Sequence, residues 1–177
     1  MSMKMKDVKI RVLTGREVAD DEQLFAELLA LDHLNMSSIM DASGVQDFPW
    51  EKRIRGLKGE STKTIVALSQ RRLLGYLEYC RDWNDSRDIY LVSAQILPEH
   101  QGGALFGKLL RAVCSQLAEE EFDHLRSNVQ VSNRRMLNIF HRLGFDIRDG
   151  RSRHTKVISV SRDSVLKSWL YRHFMAS

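Results

Sequence analysis

Apolar residues recur along this chain at two spacings, and the switches between them mark out its elements. Val8–Leu13 reads as a first strand. Over Asp20–Leu34, residues Leu24, Phe25, Leu28, Leu29 and Leu31 fall three and four apart, which predicts an amphipathic helix. Residues 35–62 are less regular. Met36, Ile39 and Met40 suggest a short helix, which Ser43-Gly44 and Pro49 then break. Thr64–Ser69 and Leu73–Cys80 predict a hairpin around Gln70-Arg71-Arg72, and Trp83–Ser86 a loop. Ile89–Leu97 is short, apolar and stopped by Pro98, hence a buried strand. A helix over Ala104–Phe122 carries Leu105, Phe106, Leu109, Leu110, Val113, Cys114 and Leu117 on one side, so Phe106 is expected on the core face. Ser127–Ser132 reads as a strand running into a helix over Asn133–Leu143, which Gly144 stops. Strands at Phe145–Arg148 and Lys156–Ser161 flank the basic loop Asp149–His154. A last amphipathic helix, Asp163–Phe174, carries Val165, Leu166, Trp169, Leu170 and Phe174.

One junction in this pattern carries chemistry. The strand ending at Leu97 and the helix beginning at Ala104 are joined through Gln101-Gly102-Gly103. A glycine turn into a helix leaves backbone N–H groups unpaired and pointing one way, and the helix dipole adds positive potential there. Such a turn suits a phosphate.

Composition narrows the classes. The 177 residues suffice for one domain with its own core, and 43% hydrophobic content fits a soluble globular protein. Neither a membrane-spanning run nor a signal peptide is visible, and the basic Met1–Ile10 lacks an apolar stretch. Cys80 and Cys114 have no metal spacing and lie in apolar patterns, which fits buried thiols in the cytoplasm. Six scattered histidines argue against a zinc site. Residues 101–177 hold 13 Lys and Arg against 7 Asp and Glu, a net of +6; residues 1–100 hold 14 against 16, a net of −2. The basic half lacks the interleaved aromatics of a nucleic-acid surface. It suits an anionic ligand and equally an ordinary solvated face.

The segment Gln101-Gly102-Gly103-Ala104-Leu105-Phe106 resembles the pyrophosphate loop of the GNAT superfamily of acyl-coenzyme A-dependent N-acyltransferases, Gln/Arg-x-x-Gly-x-Gly/Ala. Val129-Gln130-Val131-Ser132-Asn133 followed by Ile139-Phe140-His141-Arg142-Leu143-Gly144-Phe145 resembles the family's second motif. The resemblance implies an α/β fold, a mixed but mostly antiparallel sheet flanked by helices, with the C-terminal helix as an addition. It also implies acetyl-coenzyme A or another acyl-coenzyme A as co-substrate, with no metal. The ligand-binding positions would be Ala94, Ile96, Gln101, Gly102, Gly103, Ala104, Leu105, Phe106, Gly107 and Asn133: backbone bonds from Ala94 and Ile96, the loop around the pyrophosphate, Asn133 on the pantetheine arm. Phe48 and Trp50 would belong to a lid over the acceptor, or merely cap the sheet.

Three positions depart from the pattern. Ala104 and Phe106 replace small residues, and Phe140 stands where a tyrosine often donates a proton. Tyr90 falls where some histone-type members carry a glutamate base, and it remains a candidate acid, as does Tyr76. Glu78, a carboxylate in an apolar strand, is the best candidate base if partly buried, and otherwise a solvated edge residue. The expected function is acyl, in the first instance acetyl, transfer to a small-molecule or protein amine. The alternatives are a longer acyl group delivered by coenzyme A or an acyl carrier protein, a coenzyme A-binding module that has lost catalysis, and a basic nucleic-acid-binding protein. A homodimer stays open.

Overall fold

The computed structural model describes residues 7–43, 48–101 and 104–167. Seven strands form one sheet in the order β1-β2-β3-β4-β5-β7-β6: β1 Lys9–Thr14, β2 Lys63–Ser69, β3 Arg72–Arg81, β4 Ile89–Ile96, β5 His124–Gln130, β6 Asp146–Asp149 and β7 Thr155–Ser161. Every neighbouring pair is antiparallel except β4 and β5. Helices α1 (Gly15–Asp20), α2 (Glu22–Ser43) and α3 (Trp50–Leu57) lie between β1 and β2 in sequence. Helices α4 (Ala104–Ala118), α5 (Arg134–Arg142) and α6 (Arg162–Lys167) follow β4, β5 and β7. This is the expected mixed, mostly antiparallel α/β architecture.

Both faces of the sheet are covered, which explains why its inner strands read as unbroken apolar runs rather than alternations. On β2, Ile65 and Ala67 join the core beneath α4, whereas Val66 joins the core beneath α1, α2 and α3. The period of two sends Leu77 and Tyr79 of β3 toward α4 and Tyr76 toward α2. Leu109, Val113 and Leu117 of α4 are fully buried, each worth roughly 1.5–3 kcal/mol of transfer free energy. The α2-side core is built on Leu24, Leu28, Leu31 and Leu57.

Several boundaries differ from the sequence reading. Helix α2 does not stop at Leu34 but runs on through Met36, Ile39 and Met40, so two expected helices are one. Thr14 caps the unexpected α1 through a reciprocal pair with Glu17, in which each residue's side chain accepts the other's backbone N–H. Helix α3 was hidden because only Leu57 and Arg53 of its eight residues are buried. Strand β5 starts at His124, three residues earlier than predicted, because the polar His124 and Arg126 pair with β7 as well as any apolar residue would. Helix α4 stops at Ala118 and leaves Phe122 to pack from the following loop. The hairpin turn is only two residues, Gln70 (φ 49°) and Arg71 (φ 71°), between paired Ser69 and Arg72. Gly144 ends α5 as predicted, at φ 82°, with the Phe145 N–H donating to the Phe140 carbonyl at 3.0 Å. The expected contributions of Trp169, Leu170 and Phe174, and the pair Gly102-Gly103, lie outside the described residues.

Candidate active site

The cleft begins where two parallel strands part. β4 and β5 share only two register pairs, Ile89 with Leu125 and Tyr90 with Arg126, although both strands continue for several residues beyond. The Ser127 hydroxyl donates to the Leu91 carbonyl at 2.7 Å, one step beyond those pairs. Opposite, β4 carries an extra residue at Val92: Tyr79 pairs with Leu91, but Glu78 pairs with Ser93. A bulge bends and twists its strand, turning β4 away from β5. The resulting cleft measures about 460 Å³, with Val92, Ala94 and Ile96 on one wall and Asn128, Val129 and Gln130 on the other.

Backbone alternation decides which groups face the gap. The Leu97 N–H donates to the Leu74 carbonyl on β3 at 2.9 Å, so the polar groups of Ile96, and by alternation Ala94, point away from β3 toward the opening. The Ile96 carbonyl accepts from the Asn35 amide at 3.0 Å and the Gln101 amide at 3.1 Å. Arg135 in turn donates to Gln101 Oε1 at 3.0 Å and to its carbonyl. Asn133 caps α5, its side-chain oxygen accepting the Met136 N–H at 3.2 Å, and it also lines the cleft. Ala104, Leu105, Phe106 and Gly107 form the first turn of α4. Leu105 points into the core, whereas Phe106 both packs on the core and lines the cleft. Expecting Phe106 purely as core was therefore incomplete.

Phe140 is buried, meets Phe145 edge-on at 4.8 Å between ring centroids, and forms part of the cleft wall. Tyr90 sits below the seam, its ring 5.4 Å from that of Trp83, and does not line the cleft. Burial pushes its phenol above the usual value, partly opposed by hydrogen bonding to Asn128. Cys80 and Cys114 are buried thiols, pushed by burial up to about 11 and about 12, so neither is a ready nucleophile.

Glu78 is not the solvated edge residue that the sequence left open. It is fully buried on the α2 side of β3. Arg53 Nη2 lies 2.5 Å from its Oε2 as a counter-charge, and among the described residues its Oε1 has no hydrogen-bond partner. Burial drives the Glu78 carboxyl upward, Arg53 opposes this, and Asp32 adds to it. Arg53 Nε donates to Asp32 Oδ2 at 2.8 Å and its NH2 donates to the Tyr76 hydroxyl at 2.9 Å. The Tyr76 hydroxyl donates to Asp32 Oδ1 and sits 3.5 Å from the Ser93 hydroxyl. Burial, first of all, holds the Tyr76 phenol well above its ordinary value. Asp32, Arg53 and Ser93 line the cleft; Glu78 and Tyr76 stand behind them.

The sequence reading missed Asp32, Asn35, Arg53, Ser93 and Arg135. A signal existed for two of them. Asp32, Asn35, Met36 and Ile39 continue the helical three-and-four spacing past Leu34, and all four line the cleft. Arg53 follows Trp50 by three on α3, and Trp50 stacks on His33 of α2 at 3.5 Å, which docks that helix with Arg53 facing Asp32. Phe48, expected in a lid or a cap, lines the cleft, while Trp50 fastens α3 to α2. Among the described residues, no group of His, Cys, Asp and Glu could hold a metal, and no helix is long and apolar enough to cross a membrane.

Comparison with known proteins agrees with this geometry. No curated protein sequence matches the chain significantly. Among solved structures, the PaiA N-acetyltransferase from Thermoplasma acidophilum in complex with coenzyme A is 14% identical, with a TM-score of 0.64 over 87% of this chain and 98% of that one. The N-acetyltransferase PseH from Campylobacter jejuni in complex with acetyl coenzyme A is 15% identical, with a TM-score of 0.57 over 87% and 99%. The coenzyme A-dependent acyl-homoserine lactone synthase BjaI, with SAM and isopentyl-CoA, is 14% identical, with a TM-score of 0.66 over 95% and 90%. At such identities these structures share the fold and no more. The acetyltransferase (GNAT) family matches residues 28–145, which include the whole of β4, the loop at Gln101, α4, β5 and α5. With two-thirds of its length and both parting strands of the cleft inside that match, this chain belongs to the GNAT acetyltransferase family, whose members are acyl-coenzyme A-dependent enzymes.

Proposed function

We propose that this enzyme moves an acetyl group from acetyl-coenzyme A to an amine, with the donor lying in the gap between β4 and β5. The observation that carries the reading is the seam that opens after two pairs and turns the polar groups of Ala94 and Ile96 toward the cleft instead of onto β5. A pantetheine arm has amide groups of its own and would fill that gap as a strand would. It would take the place of the Gln101 amide on the Ile96 carbonyl. Arg135, freed from Gln101, would then offer its charge to the diphosphate beside the Gly102-Gly103 loop. Asn133 would present the remaining face of its amide to the arm.

The acceptor arrives as an ammonium and must give up one proton to solvent before its nitrogen can attack the thioester carbonyl. A C–N bond then forms, the C–S bond breaks, and a second proton passes from nitrogen to the departing sulfur. Phe140 cannot supply that proton, so holding the reactants in place is the chief contribution of this chain; positioning alone can lower such a barrier by about 7–11 kcal/mol. Dependence on a coenzyme A thioester fits a cytoplasmic location.

A second reading, a longer acyl group, has one observation in its favour: Met36, Ile39, Phe48, Met136 and Ile139 make the cleft wall largely apolar. Both readings meet one experiment. Coenzyme A, acetyl-coenzyme A and longer acyl thioesters are compared by thermal shift, then by thiol release with an amine panel. Ligand at a hundredfold excess over its dissociation constant should stabilise the fold by ~2.7 kcal/mol. Arg135→Glu should remove most of that shift while leaving the free protein's melting temperature nearly unchanged. An equal shift in Arg135→Glu would exclude Arg135 as a ligand contact, and the absence of any shift would overturn the donor site. Turnover that rises with chain length would favour the second reading.

A further inference from the structure

The buried cluster on the α2 side is not a self-contained ion pair. It holds two carboxylates, Asp32 and Glu78, against one guanidinium, Arg53. A structural pair in a protein interior satisfies its hydrogen bonds, because a buried donor or acceptor left unmade is costly. Among the described residues, Arg53 Nη1 and Glu78 Oε1 have no hydrogen-bond partner, whereas Glu78 Oε2 meets Arg53 Nη2 at 2.5 Å. Asp32 is 1% exposed and Arg53 9% exposed, yet both form part of the cleft wall. Next to them lies Ser93, at the bulge where β4 turns away from β5. The cluster therefore borders the cleft with a guanidinium that keeps one buried N–H unpaired, beside a carboxylate with spare lone pairs, and it sets two carboxyl groups against one guanidinium.

Resting on the acyl-transfer reading above, we propose that Asp32 and Arg53 recognise the acceptor, and that the acceptor is a small amino acid or a derivative that keeps a carboxyl or carbonyl oxygen next to its ammonium. The two unused features decide the class. A simple alkylamine would satisfy Asp32 and leave the Arg53 N–H unpaired. A plain carboxylate would bring a third acidic group to a guanidinium that already faces two. A headgroup with both functions places its ammonium on Asp32 and its oxygen on Arg53 NH1. Glu78, behind the guanidinium, holds Arg53 in position and is a positioning residue. Tyr76 fixes Asp32 from the other side, and Ser93 borders the space between this headgroup and the thioester. Transfer then joins the acyl carbon to the amino nitrogen, releases the thiol with one proton and returns one proton to solvent.

The test uses the wild-type chain, saturated with acetyl-coenzyme A or with whichever thioester gives the largest thermal shift. Thiol release is measured with free amino acids, amino acid amides and esters, alkylamines of matched size, polyamines and a lysine-containing peptide. We expect amino acids or their carbonyl derivatives to show a kcat/KM about 10–100-fold above that of the matched alkylamine, the value of one charge-assisted hydrogen bond. Asp32→Asn should raise the acceptor KM by a similar factor and leave the coenzyme A shift intact. Arg53→Lys keeps the charge but loses the fork, and should erase the preference between amino acid and alkylamine. An alkylamine, polyamine or peptide preferred by the wild type would overturn the proposal, and so would variants that fold but keep the wild-type acceptor KM and preference. The wild-type panel decides even if a variant fails to fold. If no acceptor turns over, calorimetry of amino acid binding to the coenzyme A complex replaces it, and no binding there overturns the inference while a retained coenzyme A shift leaves the donor site standing.

Discussion

The two walls of the cleft are made in opposite ways. On the β4–β5 side the geometry belongs to the backbone: a bulge, a two-pair seam, a helix cap, and the turn at Gln101, held by Arg135. On the α2–α3 side it belongs to side chains, four of them, brought from α2, α3 and β3 into one buried cluster. Backbone features tolerate change in the residues that bear them, so one donor can be served by many sequences. A cluster of side chains is specific to its members. The difference suits a shared donor on one wall and a chosen acceptor on the other.

The comparison is tested hardest at Arg53. Arg53→Met would leave Asp32 and Glu78 buried without a counter-charge, and removing one partner of a buried pair costs about 3–5 kcal/mol. Denaturant unfolding at neutral pH should show that loss, and it should shrink in acid as the Glu78 carboxyl, raised by burial, takes up its proton. A loss under 1 kcal/mol would mean that the cluster is not the tight unit described.

The backbone wall is tested at Gly75, where β3 and β4 approach closely. A Cβ there would meet the Gln95 carbonyl at 2.7 Å and the Ile96 side chain at 3.0 Å. Gly75→Val should destabilise by about 1–3 kcal/mol through overpacking, and also weaken coenzyme A binding by displacing Ile96. Intact affinity with lowered stability would separate that edge of β4 from the donor site.

Glu78→Gln sharpens the contrast through pH. Because burial raises the carboxyl above its ordinary range, the unfolded chain gives up this proton first. The residue's contribution to stability is therefore full in acid and is lost as pH rises through the raised value. Wild type should thus lose stability relative to Glu78→Gln across that interval, as paired unfolding curves from pH 4 to 8 would reveal. A constant difference would mean that Glu78 has no raised ionisation.

The smallest effect is a control far from both walls. Gln70 and Arg71 hold positive φ without being glycine or asparagine. Asn-Gly at these positions suits a two-residue hairpin and should stabilise the fold by about 0.4–1 kcal/mol, with turnover unchanged.

These two modes of construction also explain what the sequence revealed. The strand, glycine loop and helix around Gln101 are local, so spacing and the resemblance carried by Asn133 and Gly144 located them. The Asp32–Arg53–Glu78 cluster joins positions 21 and 25 residues apart with no periodicity between them. Glu78 stood out only as an odd carboxylate, and whether it was wet or buried depended on α3, a helix whose short and mostly polar stretch gave no stripe. The polar continuation of α2 through Asp32 and Asn35 was legible in its spacing but hidden by its chemistry.

The two-pair seam has a mechanical consequence as well. β1 to β4 form one ribbon and β5, β7 and β6 another, and the strands β4 and β5 pair at Ile89 and Tyr90, with Ser127 as a stitch. A sheet joined at one end is a hinge, and its free ends can open at less cost than the whole fold. A molecule lying in the gap would clasp the two ribbons together. In hydrogen exchange, the amides of β4 beyond Val92 and of β5 beyond Ser127 should therefore slow together when the donor binds, whereas those of β1 and β2 should not change.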